Sequence, residues 1–252
     1  ALGKMASITA LLLISYVYIN KTKKHISLFL LLLFGISLYA LLLTGGRMPV
    51  ISFVICLLFL LVTGIRVKGF SLLNIRIKKK ALAFSFVGIL SIPLLVSVLH
   101  EHGNLFLQRF LLLFDGGGDS ALSRAEHIGN ALSAFLETNM IGLGIGGYIN
   151  YVGSSSERAY PHNILLEIMS ELGITGLIVF MFLLITSLIR FLKYFYLKNN
   201  YFSITLISLS LYAFLNALTS GDVNDNRMLF FFIALLCLSK VFGSKLELEK
   251  GI

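Results

Sequence analysis

The sequence predicts an all-α protein, a polytopic bundle of about seven transmembrane helices carrying one external helical loop. Three observations predict it. Of 252 residues, 57% are hydrophobic and only 13% are charged, roughly half the charged share of a soluble domain. Mean hydropathy is +0.90, more apolar surface than a globular core of this size can hide. Finally, apolar runs approaching the length that crosses a bilayer recur along the chain, and they are continuous rather than alternating. In lipid only helices or closed barrels satisfy the backbone, and continuous runs point to helices.

The runs fall near residues 5–19, 26–43, 48–65, 81–99, 172–192, 202–219 and 228–243, the first and last being short. They divide the chain into N-terminal transmembrane helices (1–99), an external loop with short helices (100–171) and C-terminal transmembrane helices (172–252). A net charge of +9 in a soluble protein would point to nucleic acid. Here the charges sit between apolar runs and set topology instead, so no nucleic-acid partner is expected. Lys21, Lys23 and Lys24 fill the first connection, and Arg66, Lys68, Arg76, Lys78, Lys79 and Lys80 fill the third. Arg190, Lys193 and Lys198 mark the fifth, and Lys240, Lys245 and Lys250 the tail. Basic loops stay cytoplasmic, which leaves the second, fourth and sixth connections on the external face. The acidic residues agree: all but Glu247 and Glu249 fall on that side. Cys56 and Cys237 lie inside apolar runs and read as small buried hydrophobes. The chain opens on Ala1 without an evident cleavable signal, and the expectation is that the beginning of a longer protein is missing.

The external loop has its own organisation. Asn104 to Phe114 is apolar around Arg109 and fits an interfacial segment. Asp115-Gly116-Gly117-Gly118-Asp119 is a flexible break. Ser123 and Glu126 form an S-x-x-E capping box, so a helix is expected from there to about Thr138. Pro161 suits the first position of a further helix, which would run from His162 into the next span with Gly173 and Gly176 loosening its middle.

Several motifs carry chemistry. Gly142, Gly144 and Gly147 match G-x-G-x-x-G, but no strand or βαβ unit surrounds them, so a loop whose amides approach a ligand or another helix is expected rather than a dinucleotide site. His100 and His102 are spaced i, i+2, off a shared helix face, and read as a solvated turn; no metal and no cofactor is expected. His162 is placed in the first turn of a helix at the external boundary, where the helix dipole disfavours imidazolium. A neutral histidine there suits a general base, and an interfacial histidine with its tip in water fits the same local features. Asn163, Glu167, Ser170 and Glu171 share a helix face, either as a site or as a polar seam between helices. Arg47 closes a Thr-Gly-Gly-Arg turn before a span, and Arg124 opens the loop helix with His127 a turn on. Two arginines can hold a diphosphate through forked hydrogen bonds, and each alone can also be a snorkelling interface residue.

Together these residues resemble the O-antigen ligase and O-antigen polymerase family over residues 40–245. The strongest likeness runs from Tyr160-Pro161-His162-Asn163 through Glu171-Leu172-Gly173-Ile174-Thr175-Gly176, similar to the family's His-Asn, a leucine, then Glu-x-Gly-x-x-Gly. The Gly142-Leu143-Gly144 element, Arg124 and Arg47 resemble family positions too. Where members often carry Trp after the second arginine this chain has His127, and Gly46 stands where Ser is common. Members usually have more membrane helices, so the chain resembles a C-terminal part of one.

The resemblance implies metal-independent glycosyl transfer from an undecaprenyl-diphosphate-linked oligosaccharide on the external face of the bacterial inner membrane. Polymerisation of O-antigen, capsular or exopolysaccharide repeats is preferred to ligation onto lipid A core. The implied roles are His162 as catalytic base, with Arg47, Arg124, Asn163 and Glu167 binding substrate. The implied partners are the lipid-linked glycan, a glycan or lipid acceptor, membrane lipid and other polysaccharide-assembly proteins. A transporter or flippase of lipid-linked sugars would also use arginines and an apolar groove, but would place polar groups at mid-membrane depth; here they collect at one face.

The charge pattern makes a topology prediction. In an otherwise cysteine-free background, a cysteine at Ser155 is labelled by an impermeant thiol reagent in intact cells and one at Lys79 is not. The reverse pattern overturns the assigned orientation.

Overall fold

The computed structural model describes residues 2–19, 24–44, 46–64, 119–153, 159–198 and 201–248. The expected span at 81–99, the basic connection at 66–80, His100-Glu101-His102, the segment Asn104–Phe114 and residues 115–118 of the glycine break lie outside the described residues. Among the described residues the structure is entirely helical: α1 (Leu2–Ile19), α2 (Lys24–Leu43), α3 (Arg47–Gly64), α4 (Asp119–Glu137), α5 (Gly147–Tyr151), α6 (Ile164–Lys198), α7 (Tyr201–Ala217) and α8 (Arg227–Leu248). Six of these overlie apolar runs read from the sequence. By length and composition one described helix, at Ile164–Arg190, is long and apolar enough to cross a membrane, and shorter apolar helices lie at Leu2–Tyr16, Phe29–Leu43, Arg47–Leu60, Thr205–Ala217 and Arg227–Leu238.

The chain forms two compact units, Ala1–Leu112 with Asn199–Tyr212, and Leu113–Lys198 with Ala213–Ile252. In the first, α1 packs on α2 and α3. Ser7, Ala10, Ser15, Ser37 and Ser52 are buried there, whereas Phe29 is 61% exposed and Leu32 and Ile36 also face outward. Small residues inside let helix backbones approach, and the apolar exterior wants a non-aqueous surround. A buried hydroxyl such as Ser37 donates to its own helix, at the Leu33 carbonyl, 2.9 Å away.

In the second unit α4, α5 and α8 pack on α6, whose outward side is again apolar, with Phe182 64% exposed. α4 departs from the sequence reading at its start. It begins at Asp119, so Ser123 and Glu126 lie inside it and form no cap. Ala121 and Leu122 are good helix formers, and nothing after Gly118 stops the helix from extending back to Asp119. Its C-terminus is a Schellman motif: Met140 N–H donates to Phe135 C=O at 2.9 Å and Asn139 N–H to Leu136 C=O at 3.0 Å. Asn139 is left-handed, φ 51°, as the position after such a helix demands.

The chain thereby turns into the glycine loop, and the loop meets α6 where that helix breaks. Gly173 has φ 66° and ψ −161°, a region open essentially to glycine alone. In an unbroken helix Ile174 N–H would donate to the Ser170 carbonyl. Here it donates to Met140 C=O at 2.9 Å, and the Ser170 carbonyl accepts Leu143 N–H at 2.9 Å instead. Gly144 N–H donates to Glu171 C=O at 2.8 Å. The loop thus takes up the backbone groups that the break sets free, which is what a break in an apolar helix needs. The amides of the G-x-G-x-x-G segment approach a helix, as its sequence context indicated. The approach is close on both sides: a Cβ at Gly142 would lie 2.5 Å from Glu171 O, and one at Gly173 would meet the Met140 and Ile141 carbonyl oxygens.

Gly173→Ala therefore combines a forbidden backbone conformation with a backbone clash, and is expected to destabilise the protein by roughly 3 kcal/mol or more. Gly129→Ala, with open space around its Cβ, is the control. Thermal unfolding in detergent reads the difference; equal melting temperatures for the two variants contradict the close approach.

Candidate functional site

The site lies where α4, α5 and the entry to α6 meet. Its framework is Asn163, whose Oδ1 accepts Leu165 N–H at 2.9 Å and Leu166 N–H at 3.3 Å. This side chain caps α6, and the helix starts at Ile164. His162 is consequently not in the first helical turn, as the sequence reading had it. It precedes the cap, with a left-handed backbone at φ 56°, a conformation uncommon outside glycine though less so for His and Asn. Pro161 is fully buried behind it.

The His162 imidazole, half-buried, lies 4.3 Å from the Tyr160 ring and 6.0 Å from the His127 ring, centre to centre. Its pKa is lowered below the ordinary 6.5, first by burial and then by the Arg124 and His127 charges. The neutral ring is thus favoured by its surroundings, not by the helix dipole. Arg124 and His127 project from one side of α4, three residues apart. Arg124 is exposed and stands in the second turn of α4 rather than the first, because the helix begins upstream.

Tyr148, in α5, completes the group and was not singled out by the sequence. It is 1% exposed. Its hydroxyl donates to the His127 carbonyl at 3.0 Å, and the same oxygen lies 3.0 Å from His127 Nδ1. Burial, then the charges of Glu126 and Tyr151, push its pKa up to about 12. Nothing in the local sequence distinguishes Tyr148 from the neighbouring Tyr151; its role comes from the fold.

Glu167 is 6% exposed, and its Oε1 accepts Val223 N–H at 3.0 Å. Among the described residues its Oε2 has no hydrogen-bond partner. One turn on, Glu171 Oε2 accepts Gly146 N–H at 2.9 Å. Glu167 and Glu171 therefore fasten two connections to α6, the glycine loop and the Ser220–Arg227 turn. The latter is stiffened by Asn226 Nδ2, which donates to Ser220 C=O at 3.2 Å and Asp222 C=O at 2.8 Å. A groove of about 490 Å³ runs along α6 on both sides of the break, lined by Ile168, Leu172, Val179, Phe180, Val223 and Phe230. Arg47 belongs to the first unit, half-buried as the first residue of α3. Among the described residues no cluster of three His, Cys, Asp or Glu side chains is placed to hold a metal ion.

A sequence profile described as O-antigen ligase matches residues 28–181, more than half of the chain, including Arg47, Arg124, His162, Asn163 and Glu167. The chain belongs to the O-antigen ligase family. No curated protein matches, and no solved structure matches. Family membership places the chain among inner-membrane proteins of polysaccharide assembly. The matched stretch begins upstream of the likeness read from the sequence, which runs over 40–245, and ends within α6.

For this O-antigen ligase family member the backbone at position 162 makes its own prediction. His162→Asn, which tolerates the left-handed region, leaves the melting temperature near that of the parent. His162→Val, β-branched, destabilises by about 2 kcal/mol. Equal destabilisation by the two variants contradicts the assigned backbone conformation.

Proposed function

We propose that the protein transfers a glycan from an undecaprenyl-diphosphate carrier to an acceptor hydroxyl at the external face of the inner membrane, in the polymerisation of polysaccharide repeat units. The observation that carries the reading is His162, half-buried and held below the ordinary histidine pKa first by burial and then by the Arg124 and His127 charges. His162 takes the proton of the acceptor hydroxyl as its oxygen bonds to the anomeric carbon. The bond from that carbon to the diphosphate oxygen breaks, and its electron pair leaves with the carrier. Charge builds on the diphosphate, where fixed cations lower the barrier most; Arg124 is assigned that task, with no metal required, and Arg47 keeps the diphosphate-binding role that the family resemblance implies for it. Asn163 and Glu167 serve by position: the first fixes where α6 starts and hence where His162 stands, the second holds the Val223 turn at the rim of the groove. The groove takes the polyprenyl chain adjoining the diphosphate, because its lining is apolar and Thr175 spends its hydroxyl on Leu172 C=O.

Seven spans and an external site remain the topology this reading requires, supported by the charge pattern and by the apolar exteriors of α2 and α6. Ligation to lipid A core would use the same groups; the compact length of the external loop in the sequence, residues 100–171, favours the polymerase reading.

Loss of the base should lower transfer about 100- to 10,000-fold. His162→Gln at normal abundance is expected to make no polymer, and polymer of parental length and amount rejects the role. Because the His162 pKa is depressed, the ring stays neutral as pH falls through 6.5 and protonates only below it. The acid limb of kcat/KM should accordingly lie below pH 6.5; a limb above it contradicts the assignment.

Lysine keeps the charge of arginine but loses the fork. Arg124→Lys and Arg47→Lys are expected to lower transfer sharply, with activity of the parent unchanged in a chelator. Parental rates in both variants, or a metal requirement, remove forked diphosphate binding.

A further inference from the structure

His127 is the group at the site that the transfer reading leaves without a task. Its hydrogen bonds fix more than its position. The Tyr148 hydroxyl has one proton, and a carbonyl oxygen can only accept. With the hydroxyl oxygen 3.0 Å from both the His127 carbonyl and His127 Nδ1, the proton goes to the carbonyl. The contact to Nδ1 is then a hydrogen bond only if Nδ1 carries a hydrogen. Burial keeps the Tyr148 hydroxyl protonated up to about pH 12, so this arrangement holds throughout the working range. In the neutral imidazole the lone pair therefore lies on Nε2.

Two imidazoles thus stand together with ring centres 6.0 Å apart, edge to face. At that separation one small polyhydroxylated ligand can reach both rings. A proton taken at Nε2 of His127 has no exit through the ring, because the hydroxyl beyond Nδ1 has its own proton committed to the carbonyl. His127 is built to accept a hydrogen bond rather than to relay a proton.

We propose that Tyr148 locks His127 in its Nδ1–H form so that Nε2 accepts a hydrogen bond from a glycan hydroxyl neighbouring the one that His162 deprotonates, which makes His127 a positioning residue for the acceptor sugar. The assignment rests on the glycosyl-transfer reading. It confers specificity, since a sugar lacking the second hydroxyl leaves a desolvated lone pair unpaired and is expected to bind roughly tenfold more weakly.

The test has two arms. The chain holds five histidines. In protein labelled with 15N at histidine and held in nanodiscs, the His127 signals are assigned by their loss in His127→Gln. They should show a protonated Nδ1 and a bare Nε2, and Tyr148→Phe should abolish that preference. An Nε2–H ring in the parent overturns the lock without any activity being measured. The second arm follows transfer of the lipid-linked repeat extracted from producing cells. His127→Asn keeps a donor near Nδ1 but has no acceptor at the Nε2 position, and should raise KM about tenfold with kcat nearly unchanged. His127→Gln, whose carbonyl reaches that position, should restore most of the affinity. Equal KM values for the Asn and Gln variants overturn the acceptor role. If His162→Gln retains full transfer, the base reading fails by itself, and the tautomer result stands or falls separately.

Discussion

The break in α6 at Gly173 is the constraint from which the polar end of the second unit follows. An apolar helix cannot leave backbone donors and acceptors exposed to a medium without water. The chain meets that demand by bringing its own loop to the break: Met140 receives the Ile174 amide while Leu143 and Gly144 supply amides to Ser170 and Glu171. This exchange needs two backbones almost in contact, so glycine stands on each side, Gly142 and Gly173. A β-carbon on either would push the two backbones apart and break these three hydrogen bonds.

With the loop fixed there, the remaining pieces have little freedom. Glu171 holds Gly146 and Glu167 holds Val223, so one face of a short helical segment sets the height of two connections. The glycine loop leads directly into α5 and presents Tyr148 to α4, which fixes His127. On the other side Asn163 starts α6 and places His162 just before it. The site is thus assembled from three separate stretches, each tied to Ile164–Leu172, the part of α6 before the break. Beyond the break α6 is apolar on its outward side, and the groove follows the helix across the break.

Much of this was legible in the sequence and some was not. Continuous apolar runs gave the helices, because a run has no alternative pairing in which to hide. The Tyr160–Gly176 block covers the stretch in which the structure gathers His162, Asn163, Glu167 and Glu171, and the polar face of Asn163, Glu167, Ser170 and Glu171 was visible as a periodicity of three and four. The two helix starts were misplaced. An S-x-x-E pattern at Ser123 is weaker than the helix-forming residues before it, and Pro161 yields to Asn163 because a side chain that accepts two amides decides where a helix begins. The left-handed backbone of His162 follows from that cap and has no local signature. Tyr148 and the lock on His127 depend on an α4–α5 contact between residues 21 apart in sequence, which periodicity cannot reveal.

The central claim is that the carrier diphosphate lies beside Arg124 and His162 with its polyprenyl chain in the groove along α6. Cryo-electron microscopy of the protein in nanodiscs with undecaprenyl diphosphate tests it most directly. The expected map has diphosphate density against the Arg124 guanidinium and a continuous chain along Leu172, Val179 and Phe230. Diphosphate density remote from Arg124 and His162, with the groove filled by ordinary bilayer lipid, would contradict it.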